Sequence, residues 1–381
     1  MADPLLPARL LYAISEQSAD LFYATGFFAP DPFLLVHDQT GSRHMVVSAL
    51  EMDRARRSAR VDHVHEWSLI QTQYQQRHPQ EKGDEKQLIA FFLQSLPIQR
   101  ALVPHDFPLG LADHLRAAGI DLTPVEGAFW PERQYKRPEE VAAVETALAR
   151  TGEAMTLAIE LIRAARIGAD GWLYHGGEPL TSERVRGEIH AFLVRHGATP
   201  QHTIVAGGRQ SADPHEAGSG PLPAHQPIIL DIFPRMTQSG YWGDMTRTVC
   251  RGTPSDRLQR IWAAVQGAQA VAMARIRAGV DGQVVHAAVT AHLTAAGFPT
   301  GRTAEGLQEG FFHGTGHGLG LEIHEGPRIG QRGQILETGH LVTVEPGLYY
   351  PDLGGVRLED VVLVEAEGCR NLTQLPQFLQ V

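Results

Sequence analysis

Along the chain, stretches with apolar residues at every second position alternate with stretches whose apolar residues recur three and four apart, the periods of strands and helices. Over the first 130 residues "HMVVSALEMDRARRSA" passes from strand to helix, and "RALVPHDFPLGLADHLRAAGIDLTPV" reads strand, helix, strand. These pieces predict a mixed α/β unit. Between them "YATGFFAPDPFLLV" (23–36) is a loop rich in Pro and aromatic residues that runs into a strand. It reads equally as a hydrophobic turn and as a substrate-facing loop. A boundary follows near "FWPERQYKRPEEVAAVETALARTGEAM", where Pro138 ahead of Glu139 and Glu140 opens a helix. Two domains are therefore expected, 1–135 and 136–381.

Within the second domain a coarse order repeats. Helical segments at about 138–165 and 182–195 precede strands "HTIVAGG", "PIILDIF" and "YWGDMTRTV". Helical segments at about 255–278 and 282–296 precede strands around 311–323, 341–350 and 355–365. The order predicts an α+β fold of two similar halves, with helices backing a curved antiparallel sheet.

The polar positions in these strands carry the chemistry. Alternation places Ile229 with Asp231 on one face, and Asp244 with Thr246 and Thr248. Thr343 with Glu345, and Arg357 with Glu359, share faces in the same way. Four carboxylates thus fall inside strands that otherwise look half buried, where an unpaired carboxylate costs several kcal/mol or neutralises itself. A compensating cation is expected. "FFHGTGHGLGLEIHEGP" (311–327) adds His313, His317 and His324 among five glycines. His317, with Gly on both sides, is the candidate nitrogen ligand. Four carboxylates and one imidazole form a hard donor set that suits Mn, Co, Fe or Zn, and two divalent ions rather than one. "GTGHGLG" is not a phosphate loop, because the strand-like "LEIHEGPR" follows where a helix is required.

Composition narrows the partners. The net charge of −10 argues against nucleic acid or an anionic membrane. No apolar run is long enough to span a bilayer, and two cysteines, Cys250 and Cys369, build neither a disulfide framework nor a zinc ribbon. A cytoplasmic enzyme is expected.

"DIF", "GDMTRT", "HGTGHGLGLEIHEGP", "VEPGLYYP" and "GVRLEDVVLV", in this order, resemble the pita-bread metallopeptidases of family M24, the group of aminopeptidase P, prolidase and methionine aminopeptidase. The resemblance covers about residues 136–370. "YATGFFAPDPFLLV" looks like the creatinase-type N-terminal domain, which favours an Xaa-Pro aminopeptidase or Xaa-Pro dipeptidase over a methionine aminopeptidase. The resemblance implies that Asp231, Asp244, His317, Glu345 and Glu359 hold two divalent ions (Mn, Co or Zn). It implies that His215, in "SADPHE", lies near substrate, and that His313 and His324 contact the scissile peptide and stabilise the tetrahedral intermediate. Glu345 would also shuttle a proton, and Arg357 matches an arginine two residues before the last ligand. The substrate would be an Xaa-Pro dipeptide or short peptide, and the enzyme a homodimer in which the 23–36 loop closes the pocket of a second subunit. Tyr241, Trp242, Tyr349 and Tyr350 would supply either an apolar wall for the proline ring or ordinary core packing. The chain departs from the family in one respect: Asp231 and Asp244 are thirteen apart where eleven is usual. Two extra residues at a hairpin tip preserve the face of each aspartate. A creatinase-like hydrolase or a non-catalytic peptide-binding relative would lack the complete ligand set.

Overall fold

The structure, a computed structural model, describes residues 7–381. The chain divides into two compact units, Met1–Pro131 and Glu132–Val381.

The first unit is built on six strands, β1 (Ala8–Ala13), β2 (Phe33–His37), β3 (Arg43–Val47), β4 (His63–Glu66), β5 (Arg100–Val103) and β6 (Asp121–Pro124), in the order β4-β3-β2-β1-β5-β6. The β1–β2 and β2–β3 pairs are antiparallel, and the others are parallel. Alternation buries both faces. Leu10, Leu34, Val36 and Val46 pack with α4 (Glu85–Ser95) and α5 (Leu109–Ala117), while Leu11, Phe33, Leu35 and Met45 pack with α1 (Ala19–Thr25) and α2 (Met52–Ser58). α3 (Trp67–Arg77) adds Ile70 and Tyr74 to the first of these cores. α4 begins where Asp84 and Gln87 form a reciprocal capping box, and α1 stops at Gly26 in the left-handed region (φ 61). In the 23–36 stretch Phe27 and Phe33 are buried and meet edge to face at 6.1 Å, which leaves only the tip, residues 30–32, exposed. Phe27 and Phe33 are core, and Tyr23 and Phe28 are half-buried.

The second unit contains the two helix pairs, α6 (Pro138–Arg163) with α7 (Ser182–Arg195) and α8 (Asp256–Met273) with α9 (Gly282–Ala295). α6 and α7 cover a three-stranded antiparallel sheet, Ile204–Gly207, Ile228–Ile232 and Met245–Val249. α8 and α9 cover a five-stranded sheet whose centre is Gly316–Gly318, Leu341–Val344 and Asp360–Val364. Period two decides what faces the helices. Ile228, Leu230 and Ile232 join the α6–α7 core, and Val342, Val344, Val362 and Val364 join the α8–α9 core. Each such buried aliphatic side chain contributes about 1.5–3 kcal/mol. The intervening residues, Asp231 and Thr343 among them, are turned to the opposite face.

Candidate active site

Asp231 lies in the strand Ile228–Ile232 and pairs with Thr246, and Asp244 is the residue before the strand Met245–Val249. The pairing runs without a shift from Ile228↔Val249 to the bridge Arg235↔Trp242. The long hairpin therefore extends the arm and leaves both aspartates on one face.

Glu345 and Glu359 depart from expectation. Neither is inside a strand. Each sits in a break, between Leu341–Val344 and Gly347–Tyr350 and between Gly354–Arg357 and Asp360–Val364. Pro346 has no N–H for a continuous ladder, which accounts for the first break. The register is the same on both sides, Val344↔Asp360 and Gly347↔Arg357, so the two glutamates stand opposite each other.

His317 is held by its neighbours' lack of side chains. A Cβ on Gly316 would come within 1.9 Å of the Thr343 carbonyl oxygen, and one on Gly318 within 2.1 Å of that of Gly326. The Nδ1–H of His317 donates to the Gly318 carbonyl (3.1 Å), which leaves the lone pair on Nε2. That atom lies 3.4 Å from Glu345 Oε1 and 3.8 Å from Asp244 Oδ2. Asp244, His317 and Glu359 offer ligand atoms that all lie within 4.8 Å of one another. Asp231 stands beside them. Its Oδ2 accepts from Arg357 Nη2 (2.6 Å), and its buried Oδ1 has no hydrogen-bond partner.

The site is short of positive charge. Burial, and then the neighbouring carboxylates, push Asp244 and Glu359 well above the usual carboxylate range. Burial pushes Glu345 up to about 7, against the charge of Arg357. Burial, together with His324, holds His317 down at about 3, so it is a neutral donor at neutral pH. An orphaned carboxylate oxygen, a bare imidazole nitrogen and three crowded carboxylates fit hard divalent cations.

Two contacts escape a reading of the sequence. Thr246 accepts from Arg357 Nε (3.2 Å) and donates to Glu359 Oε2 (2.8 Å), so it links the two. Its place beside Asp244 on a strand face was the available signal. Tyr349 is fully buried and forms a relay. Arg357 Nη1 donates to its oxygen (2.9 Å), its hydroxyl donates to His313 Nε2 (2.9 Å), and His313 Nδ1–H donates to the Gly314 carbonyl (2.8 Å). Burial and Arg357 hold His313 down at about 3. His324 is exposed, with its ring edge-on to His317 at 4.4 Å. Its neighbour Glu325 is clamped by Lys136 Nζ (2.6 Å) and Arg133 Nη2 (2.9 Å). His215 is exposed, and its backbone N–H donates to Asp213 Oδ1.

One cavity of about 920 Å³ brings together Asp231, Asp244, His317, Glu345, Glu359, His215, His313, His324 and Arg357. Its apolar lining comes from Ile204, Phe233, Phe312, Ile323 and Ile329. Of the two readings of the aromatic residues, core packing holds. Tyr241, Trp242, Tyr349 and Tyr350 are all buried, with the Tyr241 hydroxyl donating to Glu140 and the Trp242 indole N–H to the Leu321 carbonyl. Those four side chains pack instead of lining.

The buried acids carry a prediction. Their raised pKa values mean that the metal-free fold is favoured below the ordinary carboxylate value near 4.5. That contribution is lost as pH rises through about 7, and bound cations reverse it. The stabilisation gained on adding divalent metal should therefore grow between pH 5.5 and 8. With Mn²⁺ as the added ion, histidines outside the acid-rich cavity take no metal and their contribution cancels. Denaturant midpoints of chelated and loaded protein at the two pH values check it, and an equal gain at both would contradict it.

Two antiparallel sheets, each backed by a helix pair, with crowded acids and imidazoles gathered in one cavity, fit a metal-dependent hydrolase. The sequence model of metallopeptidase family M24 matches residues 142–366. The chain belongs to that family and is a metallopeptidase of the pita-bread fold. It is 32% identical over 262 residues to the uncharacterized peptidase YqhT of Bacillus subtilis, covering 68% of this chain and 67% of that one. It is 30% identical over 251 residues to an Xaa-Pro dipeptidase of Pyrococcus furiosus, covering 65% of each. Among solved structures it is similar to an Xaa-Pro dipeptidase from Bacillus anthracis, with a TM-score of 0.80 and 25% identity over 98% of this chain and 95% of that one. An X-Pro aminopeptidase from Thermotoga maritima has the same fold, with a TM-score of 0.80 and 23% identity over 99% and 98% of the two chains.

Proposed function

We propose that the enzyme hydrolyses the N-terminal Xaa-Pro bond of dipeptides or short peptides with two divalent ions held by Asp231, Asp244, His317, Glu345 and Glu359. The observation that carries this reading is the convergence of all five side chains on one cavity with His215, His313 and His324. The relatives named as Xaa-Pro dipeptidases support the choice of bond. Bound, the ions (Mn, Co or Zn) would supply the Lewis acidity that activates a water and polarises the scissile carbonyl.

The chain's own residues do the rest. Glu345 Oε1 takes the proton of the attacking water and returns it to the leaving nitrogen. Neutral His324 stands at the cavity and donates to the developing oxyanion. His313 Nε2 is engaged by Tyr349, so its contact with substrate requires exchange of that hydrogen bond. Arg357 offsets the surplus negative charge through Asp231. Phe233, Phe312 and the three isoleucines offer the apolar surface a proline ring needs. The bond before proline is a tertiary amide without N–H, so recognition has to come from the ring and the free amino group.

Net charge −10 supports a setting without nucleic-acid partners, and among the described residues no helix is long and apolar enough to cross a membrane. A cytoplasmic homodimer completes the reading. Sedimentation at the mass of one chain would remove the dimer.

The test is kinetic. With Mn²⁺ or Co²⁺ supplied, Ala-Pro should be cleaved faster than Ala-Ala, and free peptides faster than their N-acetylated forms. Ala-Pro against Ala-Pro-Ala then separates dipeptidase from aminopeptidase. Faster cleavage of Ala-Ala, or indifference to acetylation, would remove the proline reading and leave the metallopeptidase.

A further inference from the structure

The first unit carries an imidazole cluster that the peptidase chemistry does not use. β3 and β4 pair in parallel with His44 opposite His63, and alternation puts His65 on the same face. β4 is the edge of its sheet and pairs only with β3. His44 Nδ1 and His65 Nε2 are hydrogen-bonded at 3.2 Å, a contact that an ion between them would replace. The ring of His63, which is exposed, stacks on that of His44 with centroids 4.7 Å apart. His65 is half-buried and meets Phe92 edge-on at 4.9 Å.

Asp38 orients this group. Its Oδ1 accepts from the Thr40 N–H (2.8 Å), the Thr40 hydroxyl (2.7 Å) and the Ser42 N–H (2.9 Å). Its Oδ2 lies 3.3 Å from His44 Nε2. Burial alone would raise the Asp38 carboxyl, but these hydrogen bonds hold it below the usual range. An ionised Asp38 takes the Nε2–H of His44, which leaves the His44 lone pair on Nδ1, directed at His65.

We propose that His44, His63 and His65 form a second metal site, for a borderline divalent ion such as Zn²⁺, Ni²⁺ or Cu²⁺, that ties the edge strand β4 to β3. Two nitrogens on one tetrahedral ion at about 2.0–2.1 Å would stand roughly 3.3 Å apart, close to the 3.2 Å observed. Carboxylate, histidine and ion in line is the arrangement by which an outer acid fixes the tautomer of a ligand. His63 joins by turning its exposed ring out of the stack, and water completes the shell. Three imidazoles without a direct carboxylate ligand disfavour Mn²⁺ and Mg²⁺, so this site and the acid-rich cavity select different ions.

The test uses the full chain, first saturated with Mn²⁺ and then titrated with Zn²⁺. After desalting, wild type should hold one more Zn²⁺ per chain than His65→Gln. His63→Gln should bind that ion more weakly, and Asp38→Asn should weaken it by ~10–100-fold. Mn²⁺-supported peptidase activity should be the same in wild type and His65→Gln, because any exchange of ions in the acid-rich cavity is common to both. Cu²⁺ bound to wild type should show an electron-resonance signature of several nitrogens that His65→Gln reduces. Equal Zn²⁺ content and affinity in wild type, His63→Gln and His65→Gln would overturn the site. Should His65→Gln fail to fold, the exposed His63→Gln decides: unchanged Zn²⁺ content and affinity there overturn it equally.

Discussion

Glu359→Gln is expected to abolish metal binding and peptidase activity together while leaving the fold intact. The change is nearly isosteric, and it relieves crowding: Glu359 lies beside Asp244 and opposite Glu345, and burial first, then that company, raises its pKa. The amide still accepts from Thr246, so the local hydrogen bond survives. What disappears is one anionic donor of the group, formed with Asp244 and His317, that could hold a metal ion. A supporting partner of a metal ligand costs about 10–100-fold, and loss of a ligand should exceed that. Elemental analysis and kinetics on the same preparation check it. In the absence of metal, Glu359→Gln should be as stable as the parent or more so at pH 8. A variant that kept full metal content and activity would remove Glu359 from the ligand set.

Arg357→Met should have the second large effect, and on stability as well as rate. The guanidinium is buried and donates to Asp231, Thr246, Tyr349 and the Pro214 carbonyl. Removing one partner of a buried ion pair costs about 3–5 kcal/mol, because the other charge is left uncompensated. Asp231 already has one orphaned oxygen and would then have two. Arg357→Lys keeps the charge but cannot reach Asp231 and Tyr349 with one planar fork. It should recover much of the stability and still lose ~10-fold or more in kcat, because the relay from Arg357 through Tyr349 to His313 is broken. Urea unfolding and steady-state kinetics separate the two effects. Wild-type values in both variants would make Arg357 a spectator.

How much of this was legible depends on how local each signal is. The four helices of the second unit announce themselves through spacing and caps. Pro138 with two acids behind it opens α6, and Ser255 caps α8 by accepting from the Leu258 N–H. Period two put Asp244 with Thr246 and Thr248, and only the register of the sheet, Asp231↔Thr246, adds Asp231 to that face. The breaks at Glu345 and Glu359 were not foreseen, although Pro346 marks the first. Alternation alone reads through a break when the register resumes beyond it. The role of Tyr349 was illegible because His313 meets it only through pairing of distant segments, although Arg357 lies across the same short hairpin. For the same reason the sequence left four aromatic residues open between a pocket wall and core packing, and the buried hydrogen bonds of three of them decide for packing. The His63–His65 pair gained meaning only when parallel pairing set it beside His44.

The most direct test of the account is a metal titration of the chelated enzyme with Ala-Pro turnover and bound metal read together. Activity should be absent without metal and should rise with added Mn²⁺ or Co²⁺. It should level off as two ions per chain fill the cavity that holds Asp231, Asp244, His317, Glu345 and Glu359. Full turnover by the chelated protein, or turnover that rises while Asp244→Asn and Glu359→Gln bind metal as wild type does, would contradict it.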